Sequence, residues 1–382
     1  GGQELTFGNQ YIIPVPFDPR LIEVIPSAVA EAAIKSGVAR KKVDLAKYRF
    51  ELSQRLGNSS NFMTLLFAKL QNHPKRVLFA DGDEEAVIKA AIEWKERGYG
   101  TPILVGYEKK IQETFAELGH SGEGIEITNA SKADKLDTYI DELYEKLQRK
   151  GYLVRDCARL IKRDRNVFTS KLLDDGHADA MVTGYNRRYL NCMQDVSLVI
   201  DRKHDEHSLF GLSILSHNNH TLFIADTAVN ELPDSELLAQ IAIQAAHEVK
   251  EMGYEPRVAF LSFSNFGNPM RDKADRIRDA VQILDEKGVK FEYDGEMTAD
   301  TALDADKMKN YKFSRLTQPA NILIMPGLHS ASISARLLKT IGGGFLIGPV
   351  LCGLEKPVQI MHMGAAESDI LSLAAIAVSR TE

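Results

Sequence analysis

Arg257-Val258-Ala259-Phe260-Leu261-Ser262-Phe263-Ser264-Asn265-Phe266-Gly267-Asn268 opens as a short apolar run and turns abruptly into small and polar residues. A run of that length and bounding reads as a buried strand followed by a loop. The same transition recurs three times. Thr221-Leu222-Phe223-Ile224-Ala225 gives way to Asp226-Thr227-Ala228-Val229-Asn230, and Phe291-Glu292-Tyr293 gives way to Asp294-Gly295-Glu296. Asn321-Ile322-Leu323-Ile324-Met325 gives way to Pro326-Gly327-Leu328-His329-Ser330. Short strands separated by helical stretches imply parallel pairing through right-handed crossovers. Ligands of open α/β sheets bind outside the carboxyl ends of the strands, so these four loops form a candidate small-molecule site.

Upstream, the alternation continues. Arg76-Val77-Leu78-Phe79-Ala80 is a strand bounded by Asp81-Gly82-Asp83, with a helix from Glu84 to Arg97 stopped by Gly98. Strands at 103–106, 125–127 and 178–184 follow, with a helix over 109–118. The expected architecture is α/β, with two subdomains of mainly parallel sheet flanking a cleft. Residues 1–60 read differently. Tyr11-Ile12-Ile13-Pro14-Val15-Pro16-Phe17-Asp18-Pro19 is a Pro-punctuated extended strap, because Pro fixes φ and removes a donor. A helix runs from Pro26 to Ser36 with Gly37 as its stop, and a second from Leu45 to Leu56. These bury too little to stand alone.

Composition narrows the function. A net charge of −6 with both signs interspersed gives no footprint for nucleic acid or an anionic membrane. No apolar run reaches the roughly 20 residues that span a bilayer. Cys157, Cys192 and Cys352 form no closely spaced pair, the pattern of buried thiols in a reducing compartment, so the expected location is cytoplasmic.

The common motifs are missing. No Gly-x-Gly-x-x-Gly follows a strand, and Gly342-Gly343-Gly344 lacks the Lys-Ser/Thr of a phosphate loop and reads as a helix stop. Asp81-Gly82-Asp83-Glu84-Glu85 would repel an anion and reads as a helix cap. His204 with His207, and His217 with His220, lack a third ligand, so no metal site is assigned. Arg187-Arg188, after the strand end at Gly184, could meet a phosphate or could be a solvated surface pair.

Taken together, several segments resemble the phosphate acetyltransferase (phosphotransacetylase) family, in the family's order, from about Asn61 to the C-terminus. They are Ala225 to Asn230 with Pro233, Leu261 to Gly267, Asp294-Gly295-Glu296-Met297, Ala320 to Leu328, and Ile347-Gly348-Pro349-Val350-Leu351-Cys352-Gly353-Leu354-Glu355-Lys356-Pro357-Val358. The front end, Asn9 to Pro14, Phe17 to Ile22 and Val29 to Ala39, is similar to the end of a bacterial malic enzyme domain. In that order the chain resembles the C-terminal half of hybrid NADP-dependent malic enzymes. The resemblance implies that residues 1–60 are the end of the malic enzyme domain with a linker, that 61–200 with 355–382 make one phosphotransacetylase-like subdomain and 201–354 the other, and that the chain crosses over and returns. The resemblance implies that NADP and a divalent metal, Mg or Mn, belong to a malic enzyme half upstream.

The departures carry the functional expectation. A Ser-Arg pair of the active family aligns with His362-Met363, followed by Gly364 and a retained Asp369. A further Arg aligns with Thr340, beside Lys339. A His-Thr-Thr-like loop reads Arg187-Arg188-Tyr189, and a downstream Arg aligns with Gln194. Acetyl transfer between a thiol and phosphate needs cations on the phosphate and stabilisation of the oxyanion; Met, Gln and Thr supply no guanidinium fork. The resemblance therefore implies a region with no catalytic residues of its own that binds acetyl-CoA as an allosteric inhibitor of malate turnover. The implied contacts are Ser264, Asn265, Gly267, Asn268, Asp294, Pro326, Gly327, His329, Ser332, Lys339, His362, Met363 and Arg187. It also implies a homo-oligomer: a dimer through this region, and a larger assembly such as a hexamer with the catalytic half. The alternatives are an active phosphate acetyltransferase and a pure oligomerisation scaffold.

Overall fold

The computed structural model describes residues 21–39, 45, 48, 58–203, 208–217, 220–270, 272–342 and 345–381. The expected strap over 11–19, the second helix over 45–56, His204 with His207, and Gly343-Gly344 lie outside them. The chain divides into a small unit, Gly1–Thr64 with Ser216–Thr221, and a large one, Leu65–Leu215 with Leu222–Glu382. The small unit holds α1 (Leu21–Lys35) and the start of α2 (Asn58–Asn72). Helix α1 begins a turn earlier than Pro26 suggests and carries that residue inside it; Gly37 ends it at φ 75°. A Pro inside a helix leaves one carbonyl unpaired without forbidding the turns before it.

The large unit runs β1 (Lys75–Phe79), α3 (Glu85–Glu96), β2 (Gly100–Val105), α4 (Glu108–Glu117) and β3 (Glu126–Thr128), then α5 (Leu136–Leu147), α6 (Val154–Arg163), α7 (Arg165–Asp174), β4 (Ala180–Thr183) and α8 (Tyr189–Ser197). It continues through β5 (Phe210–His217) and β6 (His220–Ala225), apart from their Ser216–Thr221 ends, which belong to the small unit, then α9 (Ser235–Glu251), β7 (Arg257–Leu261), α10 (Asp272–Lys287), β8 (Glu292–Met297), α11 (Ala299–Leu303), α12 (Ala305–Met308) and β9 (Ile322–Ile324). It closes with α13 (Leu328–Gly342), β10 (Phe345–Cys352), β11 (Val358–Ile360) and α14 (Glu367–Ser379). One sheet has the order β11-β4-β1-β2-β3, parallel throughout. The other has the order β10-β5-β6-β9-β7-β8, with β6, β9, β7 and β8 parallel. Strands from 75 to 183 and the returning 358–360 share one sheet, and strands from 210 to 352 share the other.

The elements follow from local sequence. Asp234 caps α9 by accepting Leu237 N–H at 2.8 Å, and Leu238, Ile241, Ala242, Ala245 and Val249 then repeat at helical spacing and are buried. In α3 the buried stripe is Val87, Ile88, Ala90, Ala91 and Trp94. Helix α14 is buried on all sides from Ile370 to Val378, because it packs on β4 and β11 of the first sheet and on β10 of the second. Gln359, fully buried on β11, uses its amide like an extra strand residue: Oε1 accepts Leu351 N–H at 2.8 Å and Nε2 donates to Leu351 O at 3.0 Å. That side chain joins the two sheets at β11 and β10.

Cys157, Cys192 and Cys352 are free and buried; burial pushes the Cys192 thiol up to about 11 and the Cys352 thiol up to about 12. No helix among the described residues is long and apolar enough to cross a membrane.

Candidate functional site

Strands β6, β9, β7 and β8 are neighbours and parallel, so the loops after them share one edge of the second sheet. There a groove of about 740 Å³ opens. Its wall is Glu231 and Leu232 after β6, Leu261 to Phe263 at the end of β7, and Met325 to Gly327 after β9. Arg276 and Ile277 of α10, Ala299 of α11, and His329 and Ser330 of α13 complete it. Arg276 donates to Pro233 O at 2.6 Å and Pro326 O at 2.7 Å, tying two of the loops together. Gly327 is required there: a Cβ on it would lie 2.8 Å from Glu231 O, whose acceptor also takes Leu328 N–H at 3.0 Å. Pro326, Gly327 and His329 thus line the groove as the sequence suggests.

Ser264, Asn265, Gly267 and Asn268 form the loop beside it rather than its lining. Asn265 and Asn268 exchange backbone bonds of 3.1 and 3.0 Å, making a closed four-residue turn. Glu296, fully buried, holds this turn: Oε1 accepts Ser264 Oγ–H at 2.6 Å and Gly267 N–H at 3.0 Å, and Arg278 grips both oxygens at 3.0 Å. Burial pulls the Arg278 guanidinium down, but the Glu296 and Asp275 carboxylates outweigh it and hold it above its ordinary value.

Asp294 is buried and turned elsewhere. Its Oδ2 accepts Ser314 Oγ–H at 3.0 Å and Arg315 N–H at 2.8 Å. Asp294-Gly295-Glu296 lies inside β8, not in a loop after it, because this edge strand keeps pairing with β7 to Met297. Residues two apart on a regular strand share a face; here the register with β7 shifts, Phe260 facing Gly295 but Leu261 facing Met297, and that irregularity lets Asp294 and Glu296 serve different partners. Ser332 is half-buried on α13 outside the groove lining, and Lys339 is exposed near the end of that helix.

The remaining three predicted residues gather at the carboxyl edge of the first sheet. Gly184, at φ 105°, would place a Cβ 2.7 Å from Met361 O, so β4 and β11 end in close backbone contact. Gly364 N–H donates to Tyr185 O at 2.9 Å, setting His362 and Met363 beside that crossing. Both are more than half or about half exposed, and His362 Nε2 lies 3.9 Å from Asp369 Oδ2. Arg187 is ion-paired: it reaches Asp164 at 2.6 Å and Asp195 at 3.2 Å. Burial lowers its pKa, but those carboxylates outweigh burial and raise it; burial in turn pushes the Asp195 carboxyl up.

Asp81 is not a helix cap. Its buried carboxylate accepts Gly184 N–H at 2.9 Å and Tyr185 N–H at 3.0 Å, while Arg165 bridges it to Asp83 at 3.3 and 2.9 Å. Sequence reading passed over Arg276, Arg278 and Arg165, and took Glu296 only as part of its loop. The available signal was helical: Arg276 and Arg278 lie in the first two turns of α10, the helix that follows the β7 loop and so starts at that sheet edge.

The model of the phosphate acetyl/butaryl transferase family matches residues 61–378. The chain belongs to that family. A phosphotransacetylase from Streptococcus pyogenes superposes with a TM-score of 0.77 at 27% identity, covering 83% of this chain and 98% of that one. The family member is also 47% identical to a probable NADP-dependent malic enzyme of Rickettsia prowazekii, over 98% of this chain and 51% of that protein. An NADP-dependent malic enzyme of Rhizobium meliloti is likewise 47% identical, over 98% and 50%. This phosphotransacetylase-like chain thus spans about half the length of the malic enzymes it matches.

Proposed function

We propose that this chain is the acetyl-CoA-sensing, non-catalytic regulatory and self-associating region of a malic enzyme. That enzyme oxidatively decarboxylates malate to pyruvate with NADP and is inhibited by acetyl-CoA. Its NADP and divalent metal belong to a catalytic part outside this sequence. The observation that carries the reading is the state of the cations at the two sheet edges. Arg165, Arg187 and Arg278 are held by carboxylates, and Arg276 by two main-chain carbonyls. A phosphate dianion would have to displace those partners, and His362-Met363 stand where the active family carries Ser-Arg. The mainly apolar groove survives beside them. Such a combination favours holding a thioester over transferring its acyl group. Inhibition then requires that the ligand bind two states of the assembly unequally.

Self-association is supported by α13. Ile333, Leu337 and Ile341 repeat every four residues at 58%, 52% and 80% exposure, with Leu338 and Phe345 also exposed. A stripe of this kind on a helix beside the edge strand β10 favours a second copy as its cover.

The test is a calorimetric titration of this chain with acetyl-CoA, beside an assay for acetyl-CoA formation from acetyl phosphate and CoA. Saturable binding at one site per chain, without turnover, is expected. Turnover above background that Asp369→Asn abolishes would instead make the chain an active acetyltransferase. No binding at millimolar ligand would leave only the scaffold role.

A further inference from the structure

The loop that borders the groove carries two aromatic side chains, Phe263 and Phe266, and the groove takes only the first. Phe263, 57% exposed, lines the groove at the start of this loop. Three residues on, Phe266 is the only non-glycine residue with positive φ among those described, at 49°. L side chains rarely adopt that conformation. It is fixed there by Phe266 N–H donating to Glu296 O at 2.9 Å and by the closed turn from Asn265 to Asn268. Asn265 Oδ1 also takes Thr298 N–H at 2.9 Å, next to the groove residue Ala299.

The Phe266 ring meets Phe313 edge-on, with centroids 4.9 Å apart, and Tyr311 at 5.1 Å. Phe313 is itself 66% exposed, and Met270, against Gly267, is 73% exposed. Lys312, between the two aromatic residues, is exposed as well. An aromatic cluster braced from below by a buried, fully bonded carboxylate, yet open above, spends its apolar surface on solvent. Its apolar face with an adjacent cation suits a flat aromatic ring that carries phosphate.

We propose that the exposed face of Phe313, braced edge-on by Phe266 and Tyr311, is the stacking platform for the purine of the ligand whose thioester arm occupies the groove, with Lys312 meeting its phosphates. This rests on the acetyl-CoA reading above and extends it: the nucleotide end is read by stacking on the 311–313 segment, and the arm by the groove.

The experiment titrates the full chain, wild type and Phe313→Ala, with acetyl-CoA and with S-acetyl-pantetheine, which lacks the nucleotide. Phe313 is mostly exposed, so its removal leaves the fold intact. Acetyl-CoA binding to Phe313→Ala should weaken roughly tenfold, the scale of one lost base–aromatic stack. S-acetyl-pantetheine should bind both proteins equally, and Phe313→Trp should restore acetyl-CoA affinity. Unchanged acetyl-CoA affinity in Phe313→Ala overturns the platform. So does wild-type protein that binds S-acetyl-pantetheine as tightly as acetyl-CoA, although the groove reading then stands. Wild-type protein that binds neither ligand removes the sensor reading itself, and the platform with it.

Discussion

Glu296 shows how one residue can set the geometry of a site without lining it. It is fully buried, yet it accepts from Ser264, from Gly267 and, on both its oxygens, from one nitrogen of Arg278. A buried carboxylate with that many donors is stable only while they all remain, because an uncompensated charge in the interior is expensive. Arg278→Ala removes the charge partner and leaves the carboxylate behind. The expected loss is about 3 kcal/mol, at the low end for a broken buried pair because Arg278 is partly exposed. A urea denaturation midpoint measures it. Arg278→Ala with Glu296→Gln should recover part of that loss, since the neutral amide no longer needs the guanidinium. A double variant no more stable than the single one would mean that Arg278 acts through packing alone.

At the scale of elements, the second sheet was readable because four of its strands are buried on both faces and switch to polar residues at their ends. The site was readable only to the level of loops. Which side chain of a loop faces the groove depends on strand pairing that ends several residues later, as β8 demonstrates by running through Asp294 and Glu296. Strands β5 and β10 escaped for another reason. Phe210, Leu212 and Ile214 alternate with Gly211 and Ser213, a pattern easily passed over among continuous apolar runs although residues 209–215 are all buried, and β10 contains Gly348-Pro349. Ion pairs across helix ends were invisible for the same reason as Arg165 with Asp83: the partners are about eighty positions apart in the chain. The end of α7 offers a test. Asp175 accepts Lys135 Nζ–H at 2.9 Å and Tyr139 O–H at 3.1 Å, and the Lys135 bond foremost holds its carboxyl below the ordinary 3.8. A depressed carboxyl contributes stability that is complete above its unfolded value and lost as pH falls through its folded one. Asp175→Asn should therefore lower the melting temperature near neutrality, and the difference from wild type should shrink below about pH 4. A difference that stays constant into acid would assign the effect to lost packing.

At the scale of the whole molecule, α13 presents more apolar surface than a lone chain needs. Each half-exposed Leu, Ile or Phe recovers on the order of 1 kcal/mol when covered. A two-fold contact counts every such side chain twice, because the same patch serves both copies. Five positions then supply roughly 10 kcal/mol gross, against an association cost of about 4–15 kcal/mol. Gain and cost are of the same size, so a concentration series in sedimentation decides whether the dimer forms. Leu337→Asp with Ile341→Asp puts two charges on the stripe, at positions 52% and 80% exposed, so the fold of each copy is spared. The wild-type sedimentation coefficient should rise with concentration, while that of the double variant stays at the monomer value with unchanged circular dichroism. An unchanged, concentration-dependent coefficient in the variant would move the interface off α13. A wild-type chain that stays monomeric at every concentration would remove self-association from the proposed role and leave ligand binding to stand by itself.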